Sequence, residues 1–198
     1  MEHDIHLAGF GVRLEPLTVD HAAALNALVD DDLWAGMTSP RPRTAAEHAR
    51  AIIAQIAAPG GVSFAVIGDD DSVRGSTSFY DLVPAQQRVE VGSTFYGRHW
   101  WGGRTNPAVK WLMFSHAFDA LDVYRVGLRC DSRNTRSVGA MIRLGAIPEG
   151  VLRGHRVAAD GSRGDSAYFS VLLPEWPTVR AALEGRLEQR LEQRLDGL

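Results

Sequence analysis

Three strand-like runs stand in a row, Ser63–Ile67, Val73–Tyr80 and Arg88–Phe95, separated only by the turn Gly68–Asp71 and the segment Val83–Gln87. Strands this close in sequence return on one another as hairpins, because a parallel return needs a crossover of about a dozen residues or more. An antiparallel meander is therefore expected at the centre of the chain. The next segment is different in kind: a glycine-containing loop with basic residues, Arg98–Asn106, and then a helix expected from Asn106-Pro107 to Leu121. Asn at the cap accepts a bond from a free backbone N–H, and Pro at the first helical position sacrifices no needed donor. Along that helix Trp111, Phe114, Phe118 and Leu121 recur every three or four residues, an apolar stripe suited to bury against the sheet.

The flanks obey the same logic. Val12–Leu17 alternates as a strand, a helix containing Ala23, Leu25, Leu28 and Val29 comes next, Asp30–Arg43 reads as a loop or short turn of helix, and Thr44 opens a second helix to Ala58. Downstream lie a strand Arg125–Cys130, a helix Asn134–Leu144 stopped by Gly145, and strands around Ala146–Val157 and Ala167–Leu172 joined by a turn at Asp160-Gly161. No internal linker interrupts this, so residues 1–198 are expected to form a single domain, with its core over 12–173 and a helical tail over 175–198. In the tail Leu183, Leu187, Leu191 and Leu195 are four residues apart, with Glu184, Glu188 and Glu192 on one flank and Arg186, Arg190 and Arg194 on the other. This is expected to be an exposed amphipathic helix. Packing on its own domain, or fraying, is favoured over a homodimer contact, because three repeats are too few for a coiled coil.

Charge and composition narrow the partners. The net charge of −3 comes from intermixed acids and bases, which does not favour nucleic acid. No stretch approaches about 18 apolar residues, and Met1–Gly11 carries acids and histidines rather than a basic then apolar leader, so no membrane partner is expected. The single cysteine, Cys130, allows no intrachain disulfide, fits a cytoplasmic setting, and is read as a small core residue rather than a nucleophile. The seven histidines show no HxxxH or HExxH spacing, so no metal is expected; His99, beside the loop, is the one expected near a ligand.

The loop before the central helix has a chemical use. A helix N-terminus offers unpaired N–H groups and about half a positive charge, and a glycine pair in front of it lets phosphate oxygens approach, with Arg98, Arg104 and Lys110 as further donors. A plain turn and solvated arginines would look the same. Neither GxxxxGK[ST] nor GxGxxG can be written through these residues, which counts against nucleotide phosphotransferases and dinucleotide enzymes.

The order strand, phosphate loop, helix, strand, Asn-headed helix, hairpin resembles the GCN5-related N-acetyltransferase (GNAT) superfamily, in particular its ribosomal-protein acetyltransferase-like (RimJ/RimL-type) branch. The likeness rests on Val89-Glu90-Val91-Gly92, on Trp101-Gly102-Gly103-Arg104-Thr105-Asn106, on Asp131–Gly145 and on Gly150-Val151-Leu152-Arg153. The family loop is written Q/R-x-x-G-x-G/A, so Arg104 stands where a glycine is usual and Asn106 where a small residue is usual. The resemblance implies an α/β fold: a mixed, mainly antiparallel sheet of about six or seven strands flanked by helices, with an extra C-terminal helix. It also implies acetyl-CoA as co-substrate, held by Thr94, Phe95, Arg98, Trp101, Gly102, Gly103, Arg104, Thr105, Asn106, Asn134 and Ser137. The amine acceptor would be a protein N-terminus, a lysine or a small molecule.

Direct transfer needs a base for the ammonium, an oxyanion donor and a proton for the departing thiolate. Glu90 is the expected base, set near the cleft by strand alternation, although a cross-sheet ion pair is an even alternative. By the resemblance, backbone at Thr94 and Phe95 meets the thioester, Asn134 contacts the cofactor besides capping its helix, and Ser137 is the expected proton donor or orienting group. The acceptor side is expected from the segment Asp30–Arg43, where Asp30, Asp31 and Asp32 would attract a cation and Trp34 would line the wall, together with the later hairpin. The competing reading is a noncatalytic acyl-CoA-binding or partner-binding module on the same fold.

Overall fold

The computed structural model describes residues 3–157 and 161–195, with side chains up to Arg190 in the last helix. It opens with a hairpin of β1 (Leu7–Gly9) and β2 (Val12–Pro16), turned by Phe10 and Gly11 at φ 52° and 73°. Three short helices come next: α1 (Ala22–Leu28), α2 (Asp31–Trp34) and α3 (Ala45–Ala57). Asp30 and Thr44 cap the last two, each accepting the backbone N–H three residues on. The expected meander is β3 (Val62–Gly68), β4 (Val73–Val83) and β5 (Arg88–Tyr96), all antiparallel.

β6 (Arg125–Asp131), β7 (Ile147–Val157) and β8 (Arg163–Leu172) complete an eight-stranded sheet of order β1-β2-β3-β4-β5-β6-β8-β7, one strand more than the six or seven expected. The addition is β1, too short to display an alternation in sequence. Asp160, half of the expected turn between the last two strands, lies outside the described residues.

Two departures from regularity in β5 shape the centre. Ser78 pairs with Gly92 but Ser76 pairs with Phe95, so Ser93 and Thr94 together oppose Thr77, and Ser93 takes φ 48°. The bulge is braced by Thr77 Oγ1 to Thr94 Oγ1 at 2.8 Å, and it reverses the alternation: Val89 and Val91 face one cluster, while Phe95 packs in the other against Trp34. The second departure is that β5 and β6, the parallel pair, are joined only at Arg88↔Arg125, Val89↔Val126 and Glu90↔Gly127. Both strands then continue, apart.

On one face α4 (Thr105–Ser115), α5 (Thr135–Leu144) and α6 (Trp176–Leu195) bury Phe114, Phe118, Leu144, Trp176, Leu183 and Leu187 against Val89, Val91, Val126 and Leu128. Each such large side chain contributes about 1.5–3 kcal/mol by leaving water. On the other face α1, α2 and α3 cover Ala65, Ile67 and Phe95 with Leu25, Leu33 and Ile52.

α4 starts earlier than expected. Arg104 already has helical angles and its carbonyl accepts from Ala108 N at 3.0 Å, so Asn106 and Pro107 lie inside the first turn and Asn106 is not the cap. The helix widens through His116–Ala120 before it ends. The tail, expected to be exposed, is seated instead: Leu183 and Leu187 are fully buried, and Glu184 accepts from Trp111 Nε1 at 2.9 Å. The favoured reading, packing on its own domain, describes this part of the helix. Leu191, Glu192, Arg194 and Leu195 have side chains outside the described residues.

Candidate active site

Where β5 and β6 part, a cleft of about 780 Å³ passes between them. Its one side is lined from α4, α5 and α6 by Gly102, Gly103, Asn106, Lys110, Arg136, Ser137, Arg143, Arg186 and Arg190. Its other side is lined by Leu33, Gly36 and Met37 from α2 and the turn after it, Tyr80 from β4, Arg129 from β6, and His155 and Ser166 from the hairpin β7–β8. The sheet thus carries a passage, because a strand edge that has lost its partner leaves room that no side chain of the core fills.

The first side is electropositive. Lys110 is 8% exposed, faces the cleft and has no carboxylate within ion-pair distance among the described residues; burial pushes its ammonium down to about 8. A buried unpaired ammonium is costly unless an anion meets it. Beside it the turn Gly102-Gly103 leads into the free N–H groups of α4. Gly102 takes φ 69° with open space around it, so backbone conformation, not crowding, selects glycine there. Trp101 donates its indole N–H to the Tyr96 carbonyl at 2.7 Å and lies between two guanidinium groups, Arg98 at 4.8 Å and Arg136 at 3.6 Å from the ring centre.

The second side carries a polar group. Arg129 sits over the Tyr80 ring at 5.0 Å, donates to the Tyr168 hydroxyl at 3.0 Å and lies 3.3 Å from Glu90 Oε2, an oxygen that is buried without a hydrogen bond. Burial, with the Glu90 carboxylate alongside, holds the Tyr80 phenol well above its ordinary range. His155 pairs with the Ser166 hydroxyl at 3.0 Å and meets the Tyr168 ring edge-on.

Of the residues expected from sequence, Thr94, Phe95, Trp101, Gly102, Gly103, Asn106, Asn134 and Ser137 are brought together in the lining. Glu90 is not part of it. It occupies the last paired rung, folded over Gly127, and its neighbours Tyr80 and Arg129 form the wall. Arg98 is held by Asp30 in a two-pronged pair at 2.6 and 2.8 Å, and Arg104 by Asp69 at 2.6 Å, so neither reaches the lining; Thr105 is buried at the helix start.

Asn134 caps α5, accepting from Ser137 N at 3.0 Å, and burial pushes the Cys130 thiol up. Asp31 is taken by Arg41 and Arg43, Asp32 by Arg98, and Trp34 is core, donating to the Ser39 carbonyl. These contacts correct the expected acidic lure and tryptophan wall. His99 lies edge-on to Trp100, itself a lining residue, but does not reach the lining, where His155 is the histidine. Sequence reasoning did not single out Tyr80 or Arg129. Tyr80 opposes Glu90 across β4–β5, so strand pairing was the available signal. Among the described residues no group of His, Cys, Asp or Glu could hold a metal ion, and no helix is long and apolar enough to cross a membrane.

Comparison with known proteins agrees with this architecture. A family description, the acetyltransferase (GNAT) domain, matches residues 12–147. The chain is 26% identical over 106 residues to YoaA of Bacillus subtilis (strain 168), an uncharacterized N-acetyltransferase, covering 54% of this chain and 59% of that protein. It therefore spans about three fifths of the length of that curated relative. A T. thermophilus protein solved as an acetyltransferase is 34% identical with a TM-score of 0.88, covering 94% of this chain and 99% of the other. Mycobacterium smegmatis RimJ, solved in complex with CoA-disulfide, shares the fold at a TM-score of 0.77 and 19% identity, covering 92% and 93%. The chain belongs to the GNAT acetyltransferase family.

Proposed function

We propose that this protein transfers acetyl from acetyl-CoA directly to a primary amine, the two substrates entering the cleft from opposite sides of the sheet. The observation that carries this reading is the passage itself: a buried ammonium and a helix N-terminus with no carboxylate partner among the described residues at one end, a polar wall at the other, and an unpaired strand edge between them. Lys110 and the first turn of α4 would hold phosphate oxygens, a role supported by the CoA-disulfide bound to the RimJ relative. The open edge of β5 from Gly92 to Phe95 supplies backbone donors for an acyl oxygen.

In the transfer, the neutral amine nitrogen bonds to the acyl carbon, the carbon–sulfur bond breaks, and the thiolate takes up a proton as the amine gives one up. Glu90 accepts that proton through the Tyr80 hydroxyl or a water beside it, and Ser137 orients the sulfur or passes it a proton that it regains from solvent. The acceptor is a protein N-terminus, a lysine or a small amine, and the free Cys130 suits a cytoplasmic protein. Thiol release from acetyl-CoA against a library of amines and N-terminal peptides tests the reading. Glu90→Gln and Ser137→Ala should each lower kcat with KM for acetyl-CoA retained, and unchanged turnover removes that residue's role. Binding of acetyl-CoA without thiol release on the whole library would favour the noncatalytic alternative.

A further inference from the structure

The mouth of the cleft holds a second cationic group that none of the phosphate-loop residues belongs to. Arg143 in the last turn of α5 and Arg186 and Arg190 on α6 all line it. None has a carboxylate within ion-pair distance among the described residues, whereas Arg180 on the same helix pairs with Asp119 at 3.5 Å and with Glu184 at 3.1 Å. Carbonyls hold two of them in place: Arg186 donates to the Arg143 carbonyl at 2.8 Å and to the Ala182 carbonyl at 3.2 Å, and Arg190 donates to the Gly102 carbonyl. Their helix cannot drift, since Leu183 and Leu187 anchor it in the core. Like charges gathered by neutral oxygens repel one another, and burial together with Arg190 and Arg143 depresses the Arg186 guanidinium accordingly. Guanidinium forks are suited to phosphate oxygens.

We infer that Arg143, Arg186 and Arg190 form an anion seat that takes a phosphate at the nucleotide end of the donor, making the C-terminal helix part of the donor site. This rests on the reading of acetyl-CoA as the donor. The family description ends at residue 147, so α6 lies outside what it matches. The seat closes the electrostatic balance of the mouth: the α4 terminus and Lys110 meet one anionic group, the α6 arginines another. It also makes α6 two-sided in purpose, its leucines holding the fold and its arginines the ligand.

Titration calorimetry with CoA and with dephospho-CoA tests this on the full chain. The Arg143→Gln/Arg186→Gln double variant should bind CoA at least tenfold more weakly than wild type, about 1.4 kcal/mol. Arg180→Gln should bind it as wild type does, and the melting temperature of the double variant should be retained. If wild type binds dephospho-CoA as weakly as the double variant binds CoA, the seat holds the 3′-phosphate. If wild type binds both equally and the double variant loses both, it holds the pyrophosphate. CoA binding unchanged in the double variant overturns the seat and leaves the proposed function standing. Wild type that binds no CoA overturns both.

Discussion

The two mouths of the cleft are built on opposite electrostatic rules. On the α4–α6 side Lys110, Arg136, Arg143, Arg186 and Arg190 face the opening with no carboxylate partner among the described residues. On the α2 side charge is matched: Asp30 and Asp32 with Arg98, Asp31 with Arg41 and Arg43, Asp131 with Arg133 and Arg156, Glu90 and Asp81 with Arg129. Unmatched charge marks where a ligand is to bring the opposite sign. Matched charge leaves recognition to shape and hydrogen bonds; on the proposed reading the acceptor would be selected by Leu33, Met37, Tyr80 and His155 rather than by an acidic field.

The unbalanced side should be the more fragile under mutation. Leu183→Ala, at a fully buried position beneath the α6 arginines, should cost about 2–5 kcal/mol in urea unfolding and weaken donor binding with it. A loss of neither would mean that α6 is not part of the donor side. Lys110→Met should stabilise the ligand-free protein at pH 7 by roughly 3 kcal/mol, the cost of depressing the ammonium from 10.5 to about 8, while weakening donor binding.

The sign of the pH effect comes from proton counts. Between about pH 8 and 10.5 the folded Lys110 is neutral and the unfolded one charged, so the unfolded state binds more protons and wild-type stability rises with pH across that window. That rise should vanish in Lys110→Met. Raising ionic strength should weaken donor Kd several-fold, yet leave the KM of a given amine nearly unchanged. Equal salt dependence at both mouths would break the contrast. The smallest effect is expected from Asp31→Asn, which should move neither amine KM nor melting temperature, because its ion pairs lie at the surface and are screened by solvent.

Periodicity accounts for what was legible in the sequence. The β3–β4–β5 meander, the β6–α5 unit and the stripe Trp111, Phe114, Phe118 all repeat with the spacing of their elements, and burial enforces that spacing. Alternation set the face of Glu90 but not its depth, since depth depends on how far β5 and β6 stay together. Loop side chains have no period: Arg98 and Arg104 chose Asp30 and Asp69, residues remote in sequence that only the folded chain brings near. Asn106 looked like a cap because the helical geometry of Arg104 leaves no compositional trace. In the tail, four-residue leucine spacing is the same for a helix that packs on its own sheet and for one that pairs with a copy.

The three rungs joining β5 to β6 have a mechanical consequence. All other neighbouring strands in the sheet are antiparallel, so β1–β5 and β6–β8 behave as two leaves meeting at one short spine. Val89 and Val126, fully packed beneath it, act as its pin. Work done in widening the passage falls on those few rungs, and amide exchange there should run through an opening cheaper than global unfolding while each leaf stays protected. The protein can breathe at its centre without loosening either wall.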